Sequence, residues 1–298
     1  MVFPDEIRKC VVFLGCRFSD GIKPVGTGFF LGTPLAEFPE RSLWDLVTAK
    51  HVIQGIRKRS VDQKVYIRLN LKAGGTAVIE SLITQWDFHP TPSVDVAVVP
   101  CTPPEEFDVK AYDIRASAIP DVIARNAIGI GDEVFFPGLF INYFGAERNI
   151  PIARIGNIAA MPEEPVQTQM GPMEAYLVEA RSIGGLSGSP VFVHLGLARA
   201  FGGEVLFAKN VAGSGGIFYL LGLMHGHYDV TLPVQSEADA DALRNEAINM
   251  GIAIVVPVTK IIETVNQPER VAKRKAREEE FKRANLPKID ELTNPSDE

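Results

Sequence analysis

"GGLSGSPVFV", residues 184–193, is the stretch on which the reading of the chain turns. Small residues stand at Gly184, Gly185, Ser187, Gly188 and Ser189, Pro190 closes the run, and Val191, Phe192 and Val193 follow at once. Glycine permits backbone conformations that side chains forbid, so the stretch predicts a tight turn feeding a β-strand. A serine on such a turn is either an ordinary loop residue or a nucleophile with its hydroxyl held out. A hydroxyl attacks only when a neighbouring base takes its proton. The rest of the chain must therefore supply a base, an acid to orient it and donors for a developing oxyanion. Ser182 and Ser189 are rival nucleophiles close by, with Ser189 expected to pack or to make a local hydrogen bond.

Outward from the turn, short apolar runs bounded by turn residues fill the first 260 positions. Before it lie "KCVVFLGCRF" (9–18), "GTGFFLG" (26–32), "LWDLVTA" (43–49), "KVYIRLN" (64–70), "TAVIESLITQW" (76–86) and "VDVAVVP" (94–100). Then come "DEVFFPG" (132–138), "ARIGNIAA" (153–160) and "AYLVEAR" (175–181), and beyond the turn "IFYLLGLMHGHY" (217–228) and "IAIVVP" (252–257). Many short strands at this spacing predict an all-β barrel or sandwich rather than βαβ units. The Pro-rich stretch at 100–121 reads as a crossover between two halves. Helical signals come late. Ser236 is a candidate N-cap for a helix over 236–251, with Leu243, Ala247 and Ile248 at helical spacing. "VTKIIETV" (258–265) predicts one or two helical turns packed on the body. After Pro268 a basic block precedes an acidic one, which reads as a solvated helix fraying into a disordered end. That tail is either without a function of its own or a segment for a protein partner.

Bulk properties narrow the function. The 298 residues carry a net charge of −7, which argues for solubility and against general affinity for nucleic acid or anionic membrane. No apolar run approaches the ~20 residues of a membrane span, and the start "MVFPDEIRKC" has no apolar signal core. Cys10, Cys16 and Cys101 leave an odd thiol and show no metal spacing, the pattern of reduced cysteines in a cytoplasmic protein. No metal or other cofactor is expected.

Among the five histidines, His51 stands out, because "LVTAKHVI" is a buried-looking strand that ends at it. A lone histidine after a strand is more often structural. Asp95 changes the odds: it sits within "VDVAVVP", where an unpaired carboxylate would be costly to bury. An imidazole N–H would satisfy it, as would backbone amides at a strand start. In chain order the three are His51, Asp95 and Ser187.

Here the chain resembles the chymotrypsin-like (trypsin-like) serine peptidases, in particular their disulfide-poor bacterial branch. The resemblance rests on "GTGFF" (26–30), "TAKHV" (48–52), "DVAVV" (95–99) and "GLSGSPVF" (185–192), followed by "LLGLMHG" (220–226) and "GIAIVVPVTKI" (251–261). It covers roughly residues 7 to 265. It implies two packed antiparallel β-barrels, over 5–110 and 120–258; the charge pattern adds a helix and a charged, partly disordered tail over 259–298. The resemblance also implies a Ser187 nucleophile, a His51 base and an Asp95 that orients the base, with the amides of Gly185 and Ser187 as oxyanion donors. Peptide or protein is then the substrate. A catalytically silent peptide-binding or scaffolding module on the same fold is the alternative.

The pattern also departs from the family's. By position, Arg181 would lie on the floor of the specificity pocket, Met224 on its side wall and Gly226 on the strand that pairs with substrate. A free Arg181 would favour an acidic side chain at the cleavage site. His225 stands where a small hydroxyl residue commonly supports the aspartate. It could bond Asp95, turn into packing, or form a metal site with His227. The stretch 229–250 is long for a connection, and either caps the cleft or elaborates the surface.

Overall fold

The computed structural model describes residues 4–168, 170–180, 185–196, 198–201, 204–207, 218–230 and 248–285. Most of the helix expected over 236–251, Arg181 and Ser182, and the end of the tail beyond 285 lie outside the described residues; the last four residues of that expected helix, from Ile248, are β-strand instead, paired with a neighbouring strand.

The fold is all-β, built as two antiparallel units with few helices. The first unit contains β1 (Val11–Phe18), β2 (Gly21–Pro34), β3 (Ser42–Thr48) and β4 (Lys64–Asn70). It is completed by β5 (Thr76–Leu82), β6 (Asp87–Phe88), β7 (Ala97–Pro100) and β8 (Tyr112–Asp113). The hydrogen-bonded order is β5-β4-β1-β2-β3-β7-β6, with β8 parallel to β2. The ladder is open between β5 and β6, yet only residues 83–86 separate these strands in the chain. Three of those four residues form a 3-10 turn, Ile83–Gln85, which rises only about 2 Å per residue, so the end of β5 and the start of β6 stay within about two interstrand spacings and the sheet curls round to leave an unpaired seam. Register puts Leu14, Phe30, Leu46 and Ile67 on one face of this sheet and Phe13, Phe29, Leu31 and Val47 on the other, and both sets are buried.

The second unit is a closed six-stranded barrel, β10-β13-β18-β17-β14-β9. Its strands are β9 (Glu133–Gly138), β10 (Ile152–Ala160), β13 (Tyr176–Glu179), β14 (Pro190–His194), β17 (Phe218–Val230) and β18 (Ile248–Pro257). Two small hairpins lie outside it: β11 (Val166–Thr168) with β12 (Gly171–Met173), and β15 (Ala198–Phe201) with β16 (Glu204–Phe207). The long 229–250 connection starts and ends inside a strand pair, since Asp229 faces Asn249 and Val230 faces Ile248. It therefore leaves the barrel from the tip of the β17–β18 hairpin.

The units meet over aromatic packing. Tyr112 stacks edge-on to Phe192 at 4.8 Å, Phe192 lies on Phe135 at 5.3 Å, and the Tyr112 hydroxyl donates to the Phe218 carbonyl at 2.9 Å. A bridge between Ser117 and Leu220 ties the crossover to the second barrel. The crossover is thus more ordered than its Pro-rich composition predicts. It carries β8, a 3-10 turn at Ile114–Ala116 capped by Asp113, and leads into α3 (Pro120–Arg125).

Short helices decorate the units: α1 (Asp5–Lys9), α2 (Lys50–Arg59) and α4 (Val258–Val265). In α2, Val52, Ile53 and Ile56 share the buried face, while Arg57, Lys58 and Arg59 meet the negative end of the helix dipole. The last element, α5 (Pro268–Asn285), is not the wholly solvated helix its charge predicts. Arg270, 5% exposed, pairs with Asp45 of β3 and Asp87 of β6, and Phe281 packs against Phe38 and Arg41. Among the described residues no helix is long and apolar enough to cross a membrane.

Candidate active site

The site lies where the start of α2, the loop from β6 to β7 and two segments of the second barrel converge. Thr48 ends β3 and His51 is the second residue of α2. The cap position of this helix is Ala49, which offers no side-chain acceptor. Asp95 supplies one from 44 residues away: its Oδ1 accepts the His51 backbone N–H at 2.8 Å. A carboxylate at this end of a helix also meets the positive end of its dipole. Asp95 itself lies in the loop two residues before β7, not inside the strand as its apolar neighbours predict. The Lys50 ammonium braces that loop by donating to the Pro92 carbonyl at 2.5 Å.

Asp95 is fully buried, and its other oxygen serves two imidazoles. Oδ2 lies 2.7 Å from Nδ1 of His51 and 2.5 Å from Nδ1 of His225. Burial alone would raise the carboxyl pKa, but the hydrogen bonds from His225 and His51 outweigh it and hold Asp95 well below the usual carboxylate range. An ionised carboxylate only accepts, so both rings carry their hydrogen on Nδ1. A neutral His51 then has its lone pair on Nε2, on the opposite edge of a side chain that is 37% exposed.

His225 reaches Asp95 because β17 is bulged there. Met224 pairs with Val255 and Gly226 with Ile254, which leaves His225 as the extra residue. A bulge bends a strand and re-aims the side chain it carries. The ring of His225 stands edge-on to that of His51, centroids 5.4 Å apart. With Asp95 they form one cluster of candidate metal ligands, but N···O separations of 2.5–2.7 Å are those of shared protons. Two atoms on a tetrahedral zinc would stand about 3.3 Å apart.

The Ser187 turn is held from both units. Gly185 and Gly188 have φ of +99° and +84°. The Gly188 N–H donates to the Met224 carbonyl and the Met224 N–H to the Ser189 carbonyl, both at 2.8 Å. From the first unit, Thr27 donates its N–H to the Ser187 carbonyl at 3.1 Å and its hydroxyl to the Gly185 carbonyl at 2.8 Å. The same hydroxyl accepts the Leu139 N–H, and the Thr48 hydroxyl secures the Thr27 carbonyl at 2.7 Å. A Cβ on Gly188 would lie 2.2 Å from the Thr27 carbonyl oxygen, so both the approach and the left-handed backbone demand glycine. The amides of Gly185 and Ser187 have no acceptor among the described residues.

The Ser187 hydroxyl donates to the His225 carbonyl at 3.2 Å, and no hydrogen bond joins it to His51. Ser189 is fully buried, its hydroxyl packed against Gly138 without a partner among the described residues. Met224 is also fully buried in the second core and meets the serine turn through its backbone. Gly226 faces open space on β17, where a Cβ would touch nothing. Thr27 and Thr48 are the contributors that sequence reading passed over; "GTGFF" and "TAKHV" contain them, but only a buried hydroxyl between two units reveals their part. Two other histidines have structural partners: His89 bonds Glu263 at 2.9 Å and His194 bonds Glu133 at 3.1 Å.

No family model and no curated protein matches the chain. Solved structures do. The apo protease domain of MamO from Magnetospirillum magneticum superposes with a TM-score of 0.52 at 12% identity, over 88% of this chain and 98% of that one. The inactive form of a serine-to-alanine mutant of Rv3671c from M. tuberculosis H37Rv gives 0.43 at 16% identity, over 90% and 89%. The fold shared with the first is that of a chymotrypsin-like protease domain.

Proposed function

We propose that the protein is a serine endopeptidase that works through an acyl-enzyme on Ser187. The observation that carries this reading is the Asp95-fixed imidazole of His51, its Nε2 without a partner among the described residues, beside a turn built to present a serine. In the reaction Ser187 Oγ attacks the scissile carbonyl carbon and its proton passes to His51 Nε2. Collapse of the tetrahedral intermediate returns that proton to the leaving amine, and water then releases the acyl group by the same steps. Asp95 holds the tautomer and stabilises the imidazolium without taking the proton. The Gly185 and Ser187 amides meet the oxyanion, each such donor being worth about 10²–10³ in rate. For attack, the hydroxyl must exchange the His225 carbonyl for His51. That trade costs about one ordinary hydrogen bond, and such bonds often tighten only when substrate is present.

A second reading has its own support. With Ser187 bonded to a backbone carbonyl rather than to His51, the cleft could serve as a silent peptide-binding module. Fluorophosphonate labelling of the purified chain separates the two. The peptidase reading expects labelling of the wild type and of Ser189→Ala, and its loss in Ser187→Ala and His51→Ala. An unlabelled wild type would reverse the choice.

A further inference from the structure

The seam in the first unit opens into a cavity that the proposed chemistry does not use. It has a volume of about 500 Å³ and lies between β4–β5 on one side and β3, β6 and β7 on the other, beneath α5. That size is within the range of small-molecule sites, and the mouth of a β-barrel is a usual place for one. Trp44, Ile67, Ile79 and Val99 form an apolar floor. From the helix, Arg270, Lys273, Arg274 and Arg277 line the roof; their spacing puts all four on one face.

The charges around this cavity do not balance. Of the lining carboxylates, Asp45 and Asp87 are taken by Arg270, and Glu80 pairs with Lys64 at 2.5 Å. Among the described residues Lys273, Arg274 and Arg277 then make no ion pair with a carboxylate, although Arg274 lies within the electrostatic reach of Asp45. Arg274 donates to the Val265 carbonyl at 2.6 Å and to Asn266, groups that carry no charge. Its half-buried position holds its pKa below the usual arginine value. The Nε of Arg270, on a residue 5% exposed, is buried with no acceptor among the described residues. Four cations face only two carboxylates not held elsewhere, Asp45 and Asp87, and this excess of positive charge with an orphaned donor over an apolar floor defines the missing piece as an anion with an apolar body.

We propose that this seam binds a small amphipathic carboxylate. Its acyl or aryl body lies on Trp44, Ile67, Ile79 and Val99, and its carboxylate meets Lys273, Arg274 and Arg277. The site is independent of Ser187 and does not rest on the peptidase reading.

Titration calorimetry of the full chain with octanoate, octanol, 2-naphthoate and inorganic phosphate tests it. At least one of the two carboxylates should bind with a dissociation constant below about 1 mM. Octanol and phosphate should be about tenfold weaker or undetectable, since each supplies only half of the recognition. Lys273→Gln combined with Arg277→Gln changes two exposed side chains and should weaken the carboxylate about tenfold. Failure of both carboxylates to bind overturns the proposal. So does octanol binding as well as octanoate, phosphate binding as well as either, or undiminished affinity in the double variant. The comparison of ligands on the wild type decides the matter even if the double variant folds poorly.

Discussion

Asp95 has two tasks at the residue scale, closing the start of α2 and fixing two imidazoles, and one substitution separates them. Asp95→Asn keeps an oxygen for the His51 amide but places an amide donor against a ring nitrogen, favouring the wrong tautomer. The labelling rate should fall about 10⁴-fold while the helix stays formed by circular dichroism. The same residue sets a pH dependence. Its folded pKa is depressed, so the stability it contributes is fully present above the ordinary aspartate value of about 4 and is lost as pH falls towards the folded value. Urea midpoints of wild type and Asp95→Asn should therefore differ by a constant amount above about pH 5 and converge below about pH 4. A gap unchanged into strong acid would mean that Asp95 is not held ionised.

Among the elements, α5 invites the sharpest test. Arg270 is buried between two carboxylates, and burial pushes the Asp45 pKa up while Arg270 opposes it. Arg270→Leu leaves Asp45 charged and unpaired, a loss of about 3–5 kcal/mol by denaturant unfolding at pH 7; adding Asp45→Leu should restore most of it. The helix itself was legible in the charge-dense sequence after Pro268, but its seating was not. One buried arginine among so many exposed cations leaves no periodic mark. Strands were legible wherever both faces are buried, as in "VVFLGCRF" of β1. The bulge at His225 was not, because a register shift is a relation between two strands. That is why His225 could be noticed while the direction of its ring stayed open.

The scale of the whole molecule is that of Thr27, whose hydroxyl joins the Gly185 carbonyl of one unit to its own strand in the other. Thr27→Val keeps the shape and strands two buried backbone groups, at about 1–3 kcal/mol each. It should also loosen the oxyanion turn and slow labelling by about 10²-fold, whereas Thr27→Ser should retain both properties. Equal labelling of Thr27→Val and wild type would show that the turn holds its shape alone. The double-barrel plan and the neighbourhood of His51, Asp95 and Ser187 could be read from motif order; the clasp between the units could not, since a threonine in a strand is ordinary until its partner is known. The seam adds a matter of timing. A ribosome lays down β1 to β8 first, at about 5–20 residues per second. The arginine that satisfies Asp45 and Asp87 emerges only after both barrels have been made. The half of the molecule that carries His51 and Asp95 is thus begun first and finished last, and a nascent chain passes most of its synthesis with that half unsealed.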